Sequence, residues 1–109
     1  MTDISVLELA ALTNGPAAVV VLDVREQEEY DDAHVPGVLH IPISVLMDRM
    51  AEVPLGQPVY VICAVGGRSG QVVDYLKRSG SDIDAINVAG GTVAWQRAGL
   101  PTESGAKNE

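Results

Sequence analysis

The sequence predicts an α/β domain built on a mainly parallel sheet, and three observations carry that prediction. Short apolar runs at 19–24, 38–41, 59–63 and 84–88 alternate with stretches of helical character. The first run, Val19-Val20-Val21-Leu22-Asp23-Val24, is dominated by β-branched residues, as in a strand covered on both faces by helices. The chain has 109 residues, enough for one domain, and strands that alternate with helices over so short a length favour right-handed crossovers.

Taken in order, Ser5 and Glu8 have the spacing of a capping box and open a helix over 6–13, which Asn14-Gly15-Pro16 ends. The strand 19–24 follows. Residues 23–32 hold six acidic side chains, and 26–30 is expected to form a short helix before His34-Val35-Pro36-Gly37 turns the chain. A strand over 38–41 is stopped by Pro42; Ser44 is expected to cap a helix carrying Val45, Leu46, Met47 and Met50; residues 54–58 form a loop. The strand 59–63 ends on Cys63. A helix over 68–78 ends near Gly80, a further strand spans 84–88, Gly90-Gly91 make a turn, and a last helix over 92–98 is stopped by Gly99 and Pro101. Trp95 is expected in the core. Residues 2–101 form the domain, and the polar residues 102–109 are expected to be a disordered tail.

Charge and cysteine count exclude several functions. With 7 Lys+Arg against 15 Asp+Glu, a net charge of −8 disfavours nucleic acid and an anionic membrane surface as partners. One cysteine closes no internal disulfide and forms no Cys-rich zinc or iron–sulfur centre, which fits a reducing compartment. Residues 1–9 carry acidic groups with no basic flank, and the longest aliphatic run, 17–22, is far short of a membrane span. A soluble, cytoplasmic protein without metal or cofactor is expected.

Cys63 therefore needs another reason to exist. It ends a buried strand, and in open α/β sheets ligands bind beyond the carboxyl ends of the strands. Gly66 and Gly67 can take positive φ, so the amides of residues 64–68 can curl into an anion-binding nest around the sulfur, at the start of the helix opened by Arg68. The helix N-terminus and the permanently charged guanidinium both favour a thiolate, and with it a nucleophile. A lone cysteine within a strand is more often a small buried hydrophobe; the glycine pair and the arginine reverse those odds.

At this point the chain resembles a known family. Cys63-Ala64-Val65-Gly66-Gly67-Arg68-Ser69 is similar to the C-x-x-G-x-R-S loop of single-domain rhodaneses, the thiosulfate sulfurtransferases. Asp23-Val24-Arg25-Glu26, the stretch from His34 through Pro42, and the stretch from Val88 through Trp95 followed by Gly99-Leu100-Pro101 agree with the family in order and spacing. The resemblance implies a mainly parallel five-stranded sheet with helices on both faces. It also implies a cycle in which Cys63 takes a sulfane sulfur from thiosulfate or a similar donor as a persulfide and passes it to cyanide or a thiol. Arg68 is then catalytic with Cys63, and Ala64, Val65, Gly66, Gly67, Arg68 and Ser69 bind the substrate. Ala33 stands where the family has glycine and His40 where it has asparagine. Ala64 is uncharged where some thiosulfate-preferring members carry a basic residue.

An alternative is a persulfide carrier loaded and unloaded by protein thiol partners; an inactive binding domain is disfavoured by the intact Cys63 and Arg68. Related phosphatases and arsenate reductases place five residues between cysteine and arginine. The four present here make a cradle that fits one sulfur atom and crowds a phosphate. Asp23 and Arg25 are candidates to brace the loop, or else form an ion pair that supports a turn. His34 and His40 lack a third histidine or spaced carboxylates for a metal. The acidic run 23–32 lacks the glycine and alternation of a calcium loop and is read as a solvated face, and Gly90-Gly91 lacks the context of a nucleotide-phosphate loop.

Overall fold

In a computed structural model, described over residues 3–105, the strands are β1 (Asp3–Ile4), β2 (Val20–Asp23), β3 (Leu39–His40), β4 (Pro58–Ile62) and β5 (Asp84–Val88). They form one sheet in the order β1-β5-β4-β2-β3, and every neighbouring pair is parallel. The helices are α1 (Val6–Thr13), α2 (Gln27–Asp32), α3 (Gly67–Arg78) and α4 (Gly91–Arg97), with a 3₁₀ helix over Ile43–Glu52.

Period-2 alternation divides the core between the two faces of the sheet. Leu22, Val59, Val61, Cys63 and Ala85 point to the layer formed by Leu46 of the 3₁₀ helix and Val72, Val73 and Leu76 of α3. Val21, Ile62 and Val88 point the other way, toward Val6, Leu9 and Ala10 of α1, Tyr30 of α2 and Trp95 of α4. The expected sheet between helix layers is thus present. No helix among the described residues is long and apolar enough to cross a membrane.

The Ser5–Glu8 capping box forms in full: the Glu8 amide donates to Ser5 Oγ at 3.1 Å and the Ser5 amide to Glu8 Oε1 at 2.9 Å. The expected α-helix capped by Ser44 is replaced by 3₁₀ structure that starts at Ile43, one residue after Pro42, and is broken by non-helical torsions at Arg49. Ser44 does not cap it; its hydroxyl donates instead to Glu26 at 2.8 Å. The physical cause is the tie at the segment's start, where the Ile43 amide donates to the Val24 carbonyl and pins the chain to the end of β2. β4 begins at Pro58, which a strand accepts as its first residue, and ends one residue before Cys63.

Residues 102–105 are not free of the domain. His34 and Glu103 exchange both main-chain hydrogen bonds at 2.8 Å, and the Gly105 amide donates to the Asp31 carbonyl. Any free tail therefore starts later than Thr102, because the chain leaving Pro101 still finds unpaired backbone groups at the end of α2. Residues 106–109 of that expected tail, and Thr2 at the expected start of the domain, lie outside the described residues.

Candidate active site

Cys63 follows the last residue of β4 and is buried at the carboxyl edge of the sheet. Beyond it the chain crosses to α3 through Gly66, whose φ of 104° places it in the left-handed region and makes it the N-cap of the helix. That turn brings the Gly66 amide to 3.1 Å from Cys63 Sγ, and one turn into α3 the Ser69 hydroxyl reaches Sγ at 3.3 Å. Burial is the largest single influence on the thiol and opposes its ionisation. The Ser69 hydroxyl and the amides of Ser69, Gly66 and Val65 together outweigh burial and lower the pKa below its ordinary value. The thiolate is thus favoured at the start of a helix.

The nest is narrower than the sequence suggested. Among the described residues the hydrogen-bonding groups around the sulfur come from Val65, Gly66 and Ser69. Ala64 contributes its carbonyl, which accepts from the Val93 amide at 3.0 Å, and the Cys63 carbonyl accepts from Thr92 at 2.8 Å. The first turn of α4 is thereby fastened to the root of the loop. Gly91 makes this possible: its φ is 60°, and a Cβ there would overlap the Cys63 and Ala64 carbonyls. The Gly90-Gly91 turn therefore does more than end a strand. Val65, at the tip of the loop, is 66% exposed, and Gly67 is exposed beside it.

Arg68 does not stand as an uncommitted cation over the sulfur. Its two terminal nitrogens each donate at 2.7 Å to the Glu29 carboxylate of α2, a bidentate pair at the mouth of the site. The Arg68 hydrogen bonds hold the Glu29 carboxyl at a pKa of about 2, and Glu29 in turn raises that of Arg68. Arg68, which the resemblance makes catalytic and substrate-binding, thus shares its charge with Glu29 in this structure. Glu29 lies in the acidic run read as a solvated face, and its signal was the Glu26–Glu29 spacing. The Glu26 amide does donate to Glu29 Oε1 at 3.0 Å at the start of α2.

Asp23 and Arg25 form a buried pair, with Arg25 Nη2 2.9 Å from Asp23 Oδ2. Arg25 also donates to the Glu29 and Ala33 carbonyls at the end of α2. The pair supports α2, and so positions Glu29, without itself bonding to the loop. His34 and His40 stack on Tyr30, with ring centroids 3.8 and 4.1 Å away, and bind main-chain carbonyls of Tyr30 and Arg25. Asn87 of β5, which the sequence analysis passed over, lies at the base of the site. Its Oδ1 accepts from the Ser69 hydroxyl at 2.6 Å. A polar residue inside the otherwise apolar end of a strand was the signal available for it.

Comparison with known proteins fits this geometry. Over 75 residues the chain is 41% identical to a Bacillus subtilis protein named "Putative sulfur carrier protein YrkF", covering 69% of this chain and only 40% of that relative. It is 35% identical over 83 residues to a sulfurtransferase of Allochromatium vinosum, covering 76% of this chain and 77% of that one. The crystal structure of a rhodanese-like domain protein from Staphylococcus aureus superposes with a TM-score of 0.83 at 36% identity, covering 95% of this chain and all of that one. With residues 5–98 matching the Rhodanese-like domain family, the chain that places Cys63 at the head of this loop belongs to the rhodanese-like proteins.

Proposed function

We propose that the protein is a sulfurtransferase in which Cys63 carries a sulfane sulfur from thiosulfate or a similar donor to a thiol or cyanide. The Cys63 thiolate attacks the outer sulfur of the donor. The sulfur–sulfur bond of thiosulfate breaks, its electron pair leaves with sulfite, and Cys63 becomes a persulfide. An acceptor nucleophile then attacks the terminal sulfur and returns the thiolate, so the enzyme needs neither metal nor cofactor. The observation that carries this reading is the set of hydrogen bonds aimed at one sulfur at a strand end. These favour an anion at Cys63 and, by the same geometry, at a sulfur bonded to it.

The test is incubation with thiosulfate, followed by intact mass and sulfite release. Gain of one sulfur atom, absent in Cys63→Ser, is expected; no gain, or an unchanged yield in Cys63→Ser, would overturn the reading.

The Arg68–Glu29 pair favours a second reading, a carrier loaded and unloaded by protein thiols. A guanidinium already paired with a carboxylate attracts small anions weakly, while Val65 offers an exposed apolar contact at the loop tip. The name of the Bacillus subtilis relative leans the same way. Rapid loading with negligible release to small thiols would identify the carrier, and matched rates the enzyme.

A further inference from the structure

β4 and β5 turn Cys63 and Asn87 to the same face of the sheet, under the first turn of α3, and Ser69 lies between them. Ser69 is fully buried and Asn87 nearly so. The Ser69 oxygen stands 2.6 Å from Asn87 Oδ1 and 3.3 Å from Cys63 Sγ. A hydroxyl has one proton to donate, so these two acceptors compete for it. The shorter contact goes to the amide oxygen, so the hydrogen bond that Ser69 gives the sulfur, although it favours the thiolate, is weaker than an unshared one.

We propose that Asn87 is a positioning residue that sets, through the Ser69 hydroxyl, how readily Cys63 ionises. While the amide oxygen holds the proton, the thiolate receives less than the full hydrogen bond Ser69 can give. When negative charge gathers on the sulfur, the hydroxyl rotates toward it, and the strength of the Asn87 acceptor fixes the cost of that rotation. This deepens the reading of Cys63 as the reacting sulfur and rests on it, but its test measures ionisation alone. Loss of sulfur transfer and loss of this relay are therefore separable.

The other charged groups around this corner are Arg68 of α3 with its partner Glu29 of α2, and the Asp23–Arg25 pair at the end of β2. Asp3 of β1 and Asp74 of α3 line the hollow beside Asn87. The first turn of α4 approaches with backbone amides.

Because Cys63 is the only cysteine, its alkylation by iodoacetamide as a function of pH reports one group without interference. Asn87→Leu and Asn87→Ala, each checked for folding by circular dichroism, are expected to lower the apparent pKa by about one unit. Below the pKa, alkylation then speeds up by as much as about tenfold. Ser69→Ala is expected to raise the pKa, and adding Asn87→Leu to Ser69→Ala is expected to change nothing further. A rise in either Asn87 variant, no shift in the one that folds, or an equal shift in the Ser69→Ala background would each overturn the proposal. A merely structural role for Asn87 would change the melting temperature without this dependence on Ser69.

Discussion

Glu29→Gln is the sharpest test of how the mouth of the site is charged. The substitution removes the carboxylate that takes two 2.7 Å hydrogen bonds from Arg68. It keeps an Oε1 that can still accept from the Glu26 amide at the start of α2. The two side chains are 34% and 37% exposed, so solvent screening limits the pair's contribution to about 0.5–1 kcal/mol of stability. The melting temperature should fall by roughly 2–8 °C. The gain should appear in chemistry. An uncommitted guanidinium attracts a dianion a few ångströms away by about 2 kcal/mol even with water-like screening, equivalent to about thirtyfold in rate. The assay is the second-order rate of sulfite release from thiosulfate under single-turnover conditions at low and high salt. Loading should accelerate at low salt, and the gain should shrink as salt rises. An unchanged or slower rate in the folded variant would refute the argument, because Arg68 would then require Glu29 to be oriented rather than being muted by it.

Arg25→Met leaves the fully buried Asp23 carboxylate without its cation and should cost about 3–5 kcal/mol in denaturant unfolding; a loss below about 1 kcal/mol would show that the fold does not depend on this pair. Gly91→Ala forces a Cβ into the Cys63 and Ala64 carbonyls at a φ of 60°, and should destabilise by about 2–3 kcal/mol while altering the pH profile of Cys63 alkylation. A melting temperature within about 2 °C of the parent would contradict the close approach of α4. The Glu29 carboxyl is held at about 2 against an ordinary 4.5, so its stabilisation is complete above pH 4.5 and is lost as the pH falls toward 2. The stability gap between the parent and Glu29→Gln should therefore close across that interval in acid unfolding curves; a constant gap would mean that the pair contributes nothing through charge.

Much of this was legible in the sequence because the relevant signals are local. The β-branched runs, the Ser5–Glu8 box and the cysteine followed by glycines each act within a few residues. α1 and β5 occupy the residues expected of them. What was hidden depends on pairings far apart in the chain. Arg68 meets Glu29 39 residues away, and Ser69 meets Asn87 18 residues away. Neither follows from composition, since an acidic run reads as a solvated face until one of its members is seen gripping a guanidinium. The 3₁₀ segment was misread for a related reason. Its apolar spacing is helical, but the tie from Ile43 to the Val24 carbonyl and the break at Arg49 come from its seat at the sheet edge. Asp23 and Arg25 were read either as a brace for the loop or as an ion pair supporting a turn, and the structure shows the ion pair. Arg25 bonds to α2 carbonyls that only the folded turn presents.

The single cysteine constrains the second half of any transfer cycle. With no second thiol in the chain, a persulfide at Cys63 cannot be resolved internally, and its terminal sulfur must be taken by an acceptor from outside. Cys63 itself is only 1% exposed, so a large acceptor meets the loop before it meets Sγ. Loading adds one sulfur–sulfur bond, about 2.05 Å, between the buried Sγ and the atom that reacts. If that bond points past Gly66 toward the exposed Val65 and Gly67, the terminal sulfur becomes accessible where the thiol was not. Thiosulfate-loaded protein should then show a higher ratio of labelling by a bulky maleimide to labelling by N-ethylmaleimide than unloaded protein. Because the two reagents share one electrophile, the ratio cancels the greater intrinsic reactivity of a persulfide and leaves access as the variable. An equal ratio before and after loading would mean that the added sulfur stays within the nest, and that an acceptor must open the loop to reach it.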